Sequence, residues 1–206
     1  MSLFITFEGG EGSGKSLQSK VLQRHLQQLA IPSVLIHEPG CTVLGDRVRR
    51  VLKQASNVSI SPLTELLLFN ASRSQLVTEV IQAQLKKGHI VICDRFADST
   101  VAYQHFGRGL ERKLVADISR IAAQGCQPDI TFLLDVPPEM GLSRKQLNTA
   151  DRFEQEDLDF HTRVRQGFLQ LAVEEPQRWA VIDSTLTKKR IAGLIWKKLS
   201  TAFKNA

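Results

Sequence analysis

Cysteine is scarce and badly placed for cross-linking: the 206 residues hold three, Cys41, Cys93 and Cys126, with no C-x-x-C pair. This argues against a disulfide framework or a cysteine-built zinc site and points to a reducing compartment. The five histidines are as scattered, with no H-E-x-x-H. No apolar stretch approaches the roughly 20 residues needed to span a bilayer. The apolar start Leu3–Phe7 is too short for a signal-peptide core and lacks a basic leader. The expectation is a cytoplasmic protein with no membrane partner. Aromatic residues are few, at 6%, and there is no long basic run. Lys188-Lys189-Arg190 and Lys197-Lys198 read as the wet face of a C-terminal helix, so a nucleic-acid partner is not expected. The net charge of +6 is equally compatible with small phosphorylated ligands. Internal repeats, low-complexity segments and an interdomain linker are also lacking.

What is present is an ordinary globular composition, 42% hydrophobic and 23% charged. Area scaling gives about 9,600 Å² of folded surface against about 33,000 Å² unfolded, so roughly 70% is buried and a core forms without staples. Leu3–Phe7 is a short β-rich run stopped by glycines, followed by apolar positions at helical spacing (Val21, Leu22, Leu26, Leu29) over Lys15–Ala30. Further strands are expected at Ser33–Ile36, His89–Cys93, Ile130–Asp135 and Trp179–Ile182. Helices are expected between the Ser61-Pro62 start signal and the Gly88 stop, at Glu111–Gln124, at Leu158–Val173 and at the end of the chain. Apolar strands alternating with helices imply one α/β domain with a parallel sheet covered on both faces.

Gly9-Gly10-Glu11-Gly12-Ser13-Gly14-Lys15-Ser16 matches G-x-x-x-x-G-K-[ST], the phosphate-binding loop, between a strand and a helix. A chance match in this length is on the order of 1 in 100. Glycines let backbone N–H groups converge on phosphate oxygens, and the helix N-terminus adds its positive dipole end. In this reading Lys15 reaches the β- and γ-phosphates and Ser16 holds Mg²⁺. No N-K-x-D follows, which argues against a GTPase. Asn148-Thr149-Ala150-Asp151 does not supply one. Asp94-Arg95, at the end of the third strand, suits either a metal–phosphate site or a structural ion pair.

The ordered pieces Phe7-Glu8-Gly9-Gly10, Glu38-Pro39-Gly40-Cys41-Thr42, Leu68-Phe69-Asn70-Ala71-Ser72-Arg73, Asp94-Arg95-Phe96 through Ser99-Thr100-Val101-Ala102-Tyr103-Gln104, Pro128-Asp129, Asp151-Arg152-Phe153-Glu154 and Ile182-Asp183-Ser184 span nearly the whole chain. In this set the sequence resembles the thymidylate kinase family. The resemblance implies the P-loop nucleoside-monophosphate-kinase fold, a five-stranded parallel sheet flanked by helices in a single domain with a short lid at about 142–154. It implies transfer of the γ-phosphoryl of ATP to dTMP with Mg²⁺ on Ser16 and Asp94, in dTTP supply, by a homodimer. Gly9 to Ser16 and Asp183 would bind ATP. Glu11, Glu38, Pro39, Phe69, Arg73, Arg95, Ser99, Thr100, Tyr103 and Gln104 would bind dTMP. Phe69 would stack on the base and Arg73 donate to its O4; on pattern alone Phe69 reads as core. Lys15, Asp94, Arg95 and the lid arginines Arg144 and Arg152 would be catalytic, the two lid arginines otherwise reading as helix charges paired with Asp151 or Glu154. Two positions depart from the family: Cys41 stands where a second glycine is usual, and His37 where arginine often precedes Glu-Pro-Gly. The rival readings are another nucleotide kinase on the same scaffold and a non-catalytic ATP-binding switch.

Overall fold

The computed structural model describes residues 2–53, 59–144 and 152–204. Five strands, β1 (Leu3–Glu8), β2 (Ser33–His37), β3 (Ile90–Asp94), β4 (Ile130–Asp135) and β5 (Trp179–Asp183), form one parallel sheet in the order β2-β3-β1-β4-β5. Their apolar character on both sides follows from helices on both faces. One layer holds α1 (Lys15–Gln28) and α9 (Lys188–Lys204), whose Leu22, Leu26, Ile191, Ile195 and Leu199 pack on Ile5, Phe7, Ile92 and Phe132. Opposite lie α3 (Pro62–Leu76), α6 (Arg112–Ala123) and α8 (Leu158–Glu174). There Leu76 packs with Phe4 and Val91, and Phe160, Val164 and Phe168 with Leu133.

Each expected strand and helix is present, with ends shifted by at most two residues. The run from Ser61 to Gly88 is capped as its residues dictate, Ser61 Oγ accepting from the Thr64 N–H at 3.3 Å. It is α-helical to Leu76, widens into a π turn at Val77–Ile81, and continues as α4 (Gln82–Lys86). Three helical pieces carry no expectation from the sequence: α2 (Val43–Lys53), α5 (Ala97–Thr100) running into a π-helical Val101–Gly107, and α7 (Pro138–Ser143). All three follow strand ends and line the same edge of the sheet.

The register puts Phe7 beside Asp94 and Phe132, His37 beside Asp94, and Asp135 beside Asp183. The five apolar strands therefore present polar tips on one edge. Neighbouring β1 and β3 send their connections in opposite directions, to β2 and to β4, which opens a crevice between their C-terminal ends. A cavity of about 540 Å³ lies there.

Candidate active site

The loop between β1 and α1 forms one wall of the cavity. Gly14, at φ 91°, is the residue before α1, so the first amides of a 14-residue helix face the loop. Lys15 Nζ turns back over it and donates to Gly9 O at 3.0 Å, Gly10 O at 2.7 Å and Ser13 Oγ at 3.2 Å. Burial, and then the Arg95 charge, bring its pKa down to about 8, with Glu11, Asp94 and Glu8 opposing. At the loop apex Gly12 has φ 65°, and a Cβ there would lie 1.8 Å from Gly141 O on α7. That contact admits only glycine and fixes α7 on the loop. Arg144, just past α7, donates to Gly12 O at 3.2 Å and Ser184 O at 3.1 Å, and Ser184 Oγ donates to Ser13 O at 2.5 Å. Asp183 stays exposed and caps its own turn, accepting from the Thr185 N–H at 2.8 Å.

Ser16 Oγ donates to Asp94 Oδ2 between the start of α1 and the end of β3. A hydroxyl oxygen beside a carboxylate oxygen fits Mg²⁺, a hard cation that keeps water and takes other ligands from phosphates. No cluster of three or more His, Cys, Asp or Glu side chains suited to a metal occurs among the described residues.

Arg95 occupies the floor. Its backbone is in the left-handed region at φ 72°, held by the N–H donating to Phe7 O at 3.0 Å. The guanidinium donates to Glu11 Oε1 at 2.5 Å, Tyr103 OH at 3.0 Å, Ser99 Oγ at 3.1 Å and Gly9 O at 3.1 Å. Burial pulls its pKa down, but Tyr103 and the carboxylates of Glu11, Asp94 and Glu8 raise it further still, so the cation is permanent. Behind it Glu8 accepts from the Phe96 N–H at 2.7 Å and from Ser99 Oγ at 2.5 Å. Burial and neighbouring Asp98 push the Glu8 carboxyl up to about 8.

The far end is built on α3. Glu65, Phe69 and Arg73 recur at i, i+4 and i+8 and so share one stripe. Phe69 meets the Phe153 ring at 5.7 Å between centroids. Arg73 is 1% exposed, donating to Glu38 Oε2 at 2.9 Å, Asn70 Oδ1 at 3.0 Å and Thr100 Oγ1 at 2.8 Å. Glu38 Oε1 is buried with no partner among the described residues, and burial raises the Glu38 pKa although Arg73 opposes it. Gln104 Nε2 donates to Glu65 Oε1 at 2.9 Å.

Of the residues singled out from the sequence, Glu11, Gly12, Gly14, Lys15, Ser16, Glu38, Pro39, Phe69, Arg73, Asp94, Arg95, Ser99, Thr100, Tyr103, Gln104 and Arg144 meet around this one cavity. Gly9, Gly10 and Ser13 lie in the loop behind the wall, their oxygens holding Lys15. Asp183 is off the cavity. Arg152 is not at the phosphate loop: it donates to Glu65 and to Leu52 O at 3.4 Å, at the opposite end. Of the expected lid, residues 145–151, including Asp151, lie outside the described residues. Cys41 has φ 63°, a left-handed backbone that explains why glycine is usual there. Its Sγ accepts from the His37 N–H at 3.3 Å, so both departures meet in one contact.

Sequence reasoning assigned no role to Glu8, Glu65, Arg108 or Phe153. Glu65 left a trace, as a lone carboxylate inside the apolar run Leu63–Phe69 and four residues before Phe69. Glu8 left one too, an acid ending an otherwise apolar strand. Nothing local marks Arg108.

A family model described as thymidylate kinase matches residues 7–195. A thymidylate kinase of Dehalococcoides mccartyi is 50% identical over 204 residues, 99% of either chain. One from Geobacter sulfurreducens is 48% identical over 190 residues, 89% of each. The crystal structure of a thymidylate kinase from Ehrlichia chaffeensis superposes with a TM-score of 0.79 at 36% identity, covering 96% of this chain and 98% of that one.

Proposed function

The chain belongs to the thymidylate kinase family, and from that premise we propose how its residues share the reaction, transfer of the γ-phosphoryl of ATP to dTMP giving ADP and dTDP. The acceptor oxygen is already anionic near neutral pH, so no general base is required. What remains is positioning and neutralisation of charge spread over the transferring group. Lys15 exchanges the loop carbonyls for the donor's β- and γ-phosphates. Arg95, between the loop and Tyr103, takes the acceptor phosphate, and Arg144 covers the donor phosphates from the rim. Arg152 joins them only by leaving Glu65. Ser16 and Asp94 are the residues that would hold Mg²⁺, which supplies charge neutralisation on the donor phosphates. The adenine lies by the turn at Asp183–Thr185, which Ser184 ties to Ser13. Phe69 stacks on the thymine, Arg73, Thr100 and Gln104 meet its edge, and Tyr103 packs under the sugar beside Glu11.

The observation that carries this division is a single cavity with Lys15 at one end, Phe69 and Arg73 at the other and Arg95 between. Its test is ADP formation from Mg-ATP with dTMP, dUMP, AMP, CMP, GMP or thymidine. Strong turnover with dTMP, less with dUMP and none with thymidine is expected. Preference for another monophosphate refutes the acceptor assignments.

A homodimer is supported by exposed apolar side chains on helices that pack on one another, Val51 on α2, Leu63 and Leu67 on α3 and Ile121 on α6. A monomeric mass in light scattering refutes it. A cytoplasmic role in dTTP supply is supported by free thiols at Cys41, Cys93 and Cys126. Among the described residues no helix is long and apolar enough to cross a membrane.

A further inference from the structure

Behind the base end of the cavity lies a carboxylate for which the reaction has no use. Glu65 is fully buried on α3. Its Oε1 accepts from Gln104 Nε2 at 2.9 Å and Arg108 Nε at 3.2 Å. Its Oε2 accepts from Arg108 Nη2 at 3.3 Å and from Arg152. Arg108 in turn pairs with Glu156 at 2.7 Å. One carboxylate thus gathers the π-helical segment that carries Gln104 and the segment that follows residue 151.

We propose that Glu65 is a positioning residue for base selection, fixing which end of the Gln104 amide the cavity meets. The proposal rests on the dTMP-binding reading above. A carboxylate engaged by two arginines offers only acceptors, so the Gln104 nitrogen must face it and the Gln104 oxygen must face away. That oxygen accepts from no described residue and is not sealed from the cavity that Gln104 lines. On the same cavity, Arg73 Nη1 donates only to Asn70 and keeps one further N–H. An acceptor beside a donor matches an N3–H beside an O4 carbonyl, the edge of thymine and uracil. Cytosine presents the reverse, an N3 acceptor beside an N4 amine, and would leave buried polar groups opposed.

Glu65→Gln tests this with little change of volume. Arg152 and Arg108 Nη2 claim the one remaining carbonyl oxygen, so the new amine lies where Oε1 was and faces the Gln104 amine and Arg108 Nε. Gln104 turns over, presenting its oxygen to residue 65 and its amine to the base. The ratio of kcat/KM for dTMP over dCMP should then fall about tenfold or more, the range of one specific base contact. In a Gln104→Ala background the same substitution should leave the ratio unchanged, because Glu65 acts through Gln104. Glu65→Asp, which keeps an acceptor-only carboxylate, should retain most of the ratio. If the single variant does not fold, Glu65→Gln with Arg108→Gln removes charge and counter-charge together while Arg152 still claims the carbonyl oxygen, and carries the same test, since a loss shared by both substrates leaves the ratio unmoved. Equal losses for dTMP and dCMP, or the same change of ratio without Gln104, overturn the proposal. Failure of the unmodified enzyme to prefer dTMP would instead refute the acceptor-site reading itself.

Discussion

Replacing Arg73 by methionine should do more than remove a base contact; it should strand a charge. Glu38 is 5% exposed and has Arg73 as its partner through Oε2, while Oε1 has no partner among the described residues. Breaking a buried pair from one side costs about 3–5 kcal/mol. An independent limit comes from protonation. In the variant Glu38 escapes the penalty by taking up a proton, which at pH 7 costs about 1.4 kcal/mol for each unit above its unfolded pKa of about 4.3. That is about 3.7 kcal/mol at pH 7 and about 1 kcal/mol at pH 5. Both are upper figures, because burial already lifts Glu38 with Arg73 in place. Below about pH 4 the carboxyl is protonated folded and unfolded alike and the penalty vanishes; it grows as pH rises until the folded carboxyl ionises. Urea unfolding followed by tryptophan fluorescence at pH 5, 6, 7 and 8 measures this, with Arg73→Met/Glu38→Met as the companion. The single variant should lose stability steeply with pH relative to the parent, and the double should recover most of it. A loss that is flat with pH, or a double variant no better than the single, refutes the argument that Glu38 depends on Arg73.

Gly12→Ala combines a left-handed backbone with a Cβ 1.8 Å from Gly141 O. It should displace α7 and Arg144 from the loop and lower kcat about 100-fold, as misplacements near 1 Å do; steady-state kinetics with circular dichroism as a fold control decide it. The Glu8 carboxyl, raised to about 8, binds a proton in the folded state that it loses when unfolded. Stability should therefore fall as pH rises from about 4.5 to 8, and Glu8→Gln should flatten that slope in thermal scans across this window. Asp94→Asn should raise the Mg²⁺ concentration needed for half-maximal rate by about tenfold or more, read from a metal titration at saturating ATP; an unchanged titration removes Asp94 from the metal site.

The phosphate loop was legible because its chemistry is local: eight consecutive residues supply the glycines, the lysine and the hydroxyl, and strand and helix patterns flank them. Phe69 and Arg73, one helical turn apart, were marked only by the family resemblance, because a phenylalanine inside an apolar helical run reads as core on pattern alone. Glu65 was not legible, since its partners Gln104 and Arg152 stand 39 and 87 positions away and only the fold brings them together. The π-helical stretch Val101–Gly107 was also hidden, because one extra residue in a turn leaves no compositional mark. Arg152 shows the opposite limit. Its place in the motif was clear, but its contact with Glu65 rather than the phosphate loop depends on how the segment after residue 151 lies over α3.

Arg95 puts folding and chemistry in opposition at a single position. Its backbone torsion suits glycine, and for any other side chain costs about 1–2 kcal/mol, yet the guanidinium it carries touches Glu11, Tyr103 and the phosphate loop together. Glycine at residue 95 would relieve that torsion but take the guanidinium away from Glu11, Tyr103 and Ser99, so the strain is held by the partners the side chain neutralises as well as by the phosphate it is placed to meet.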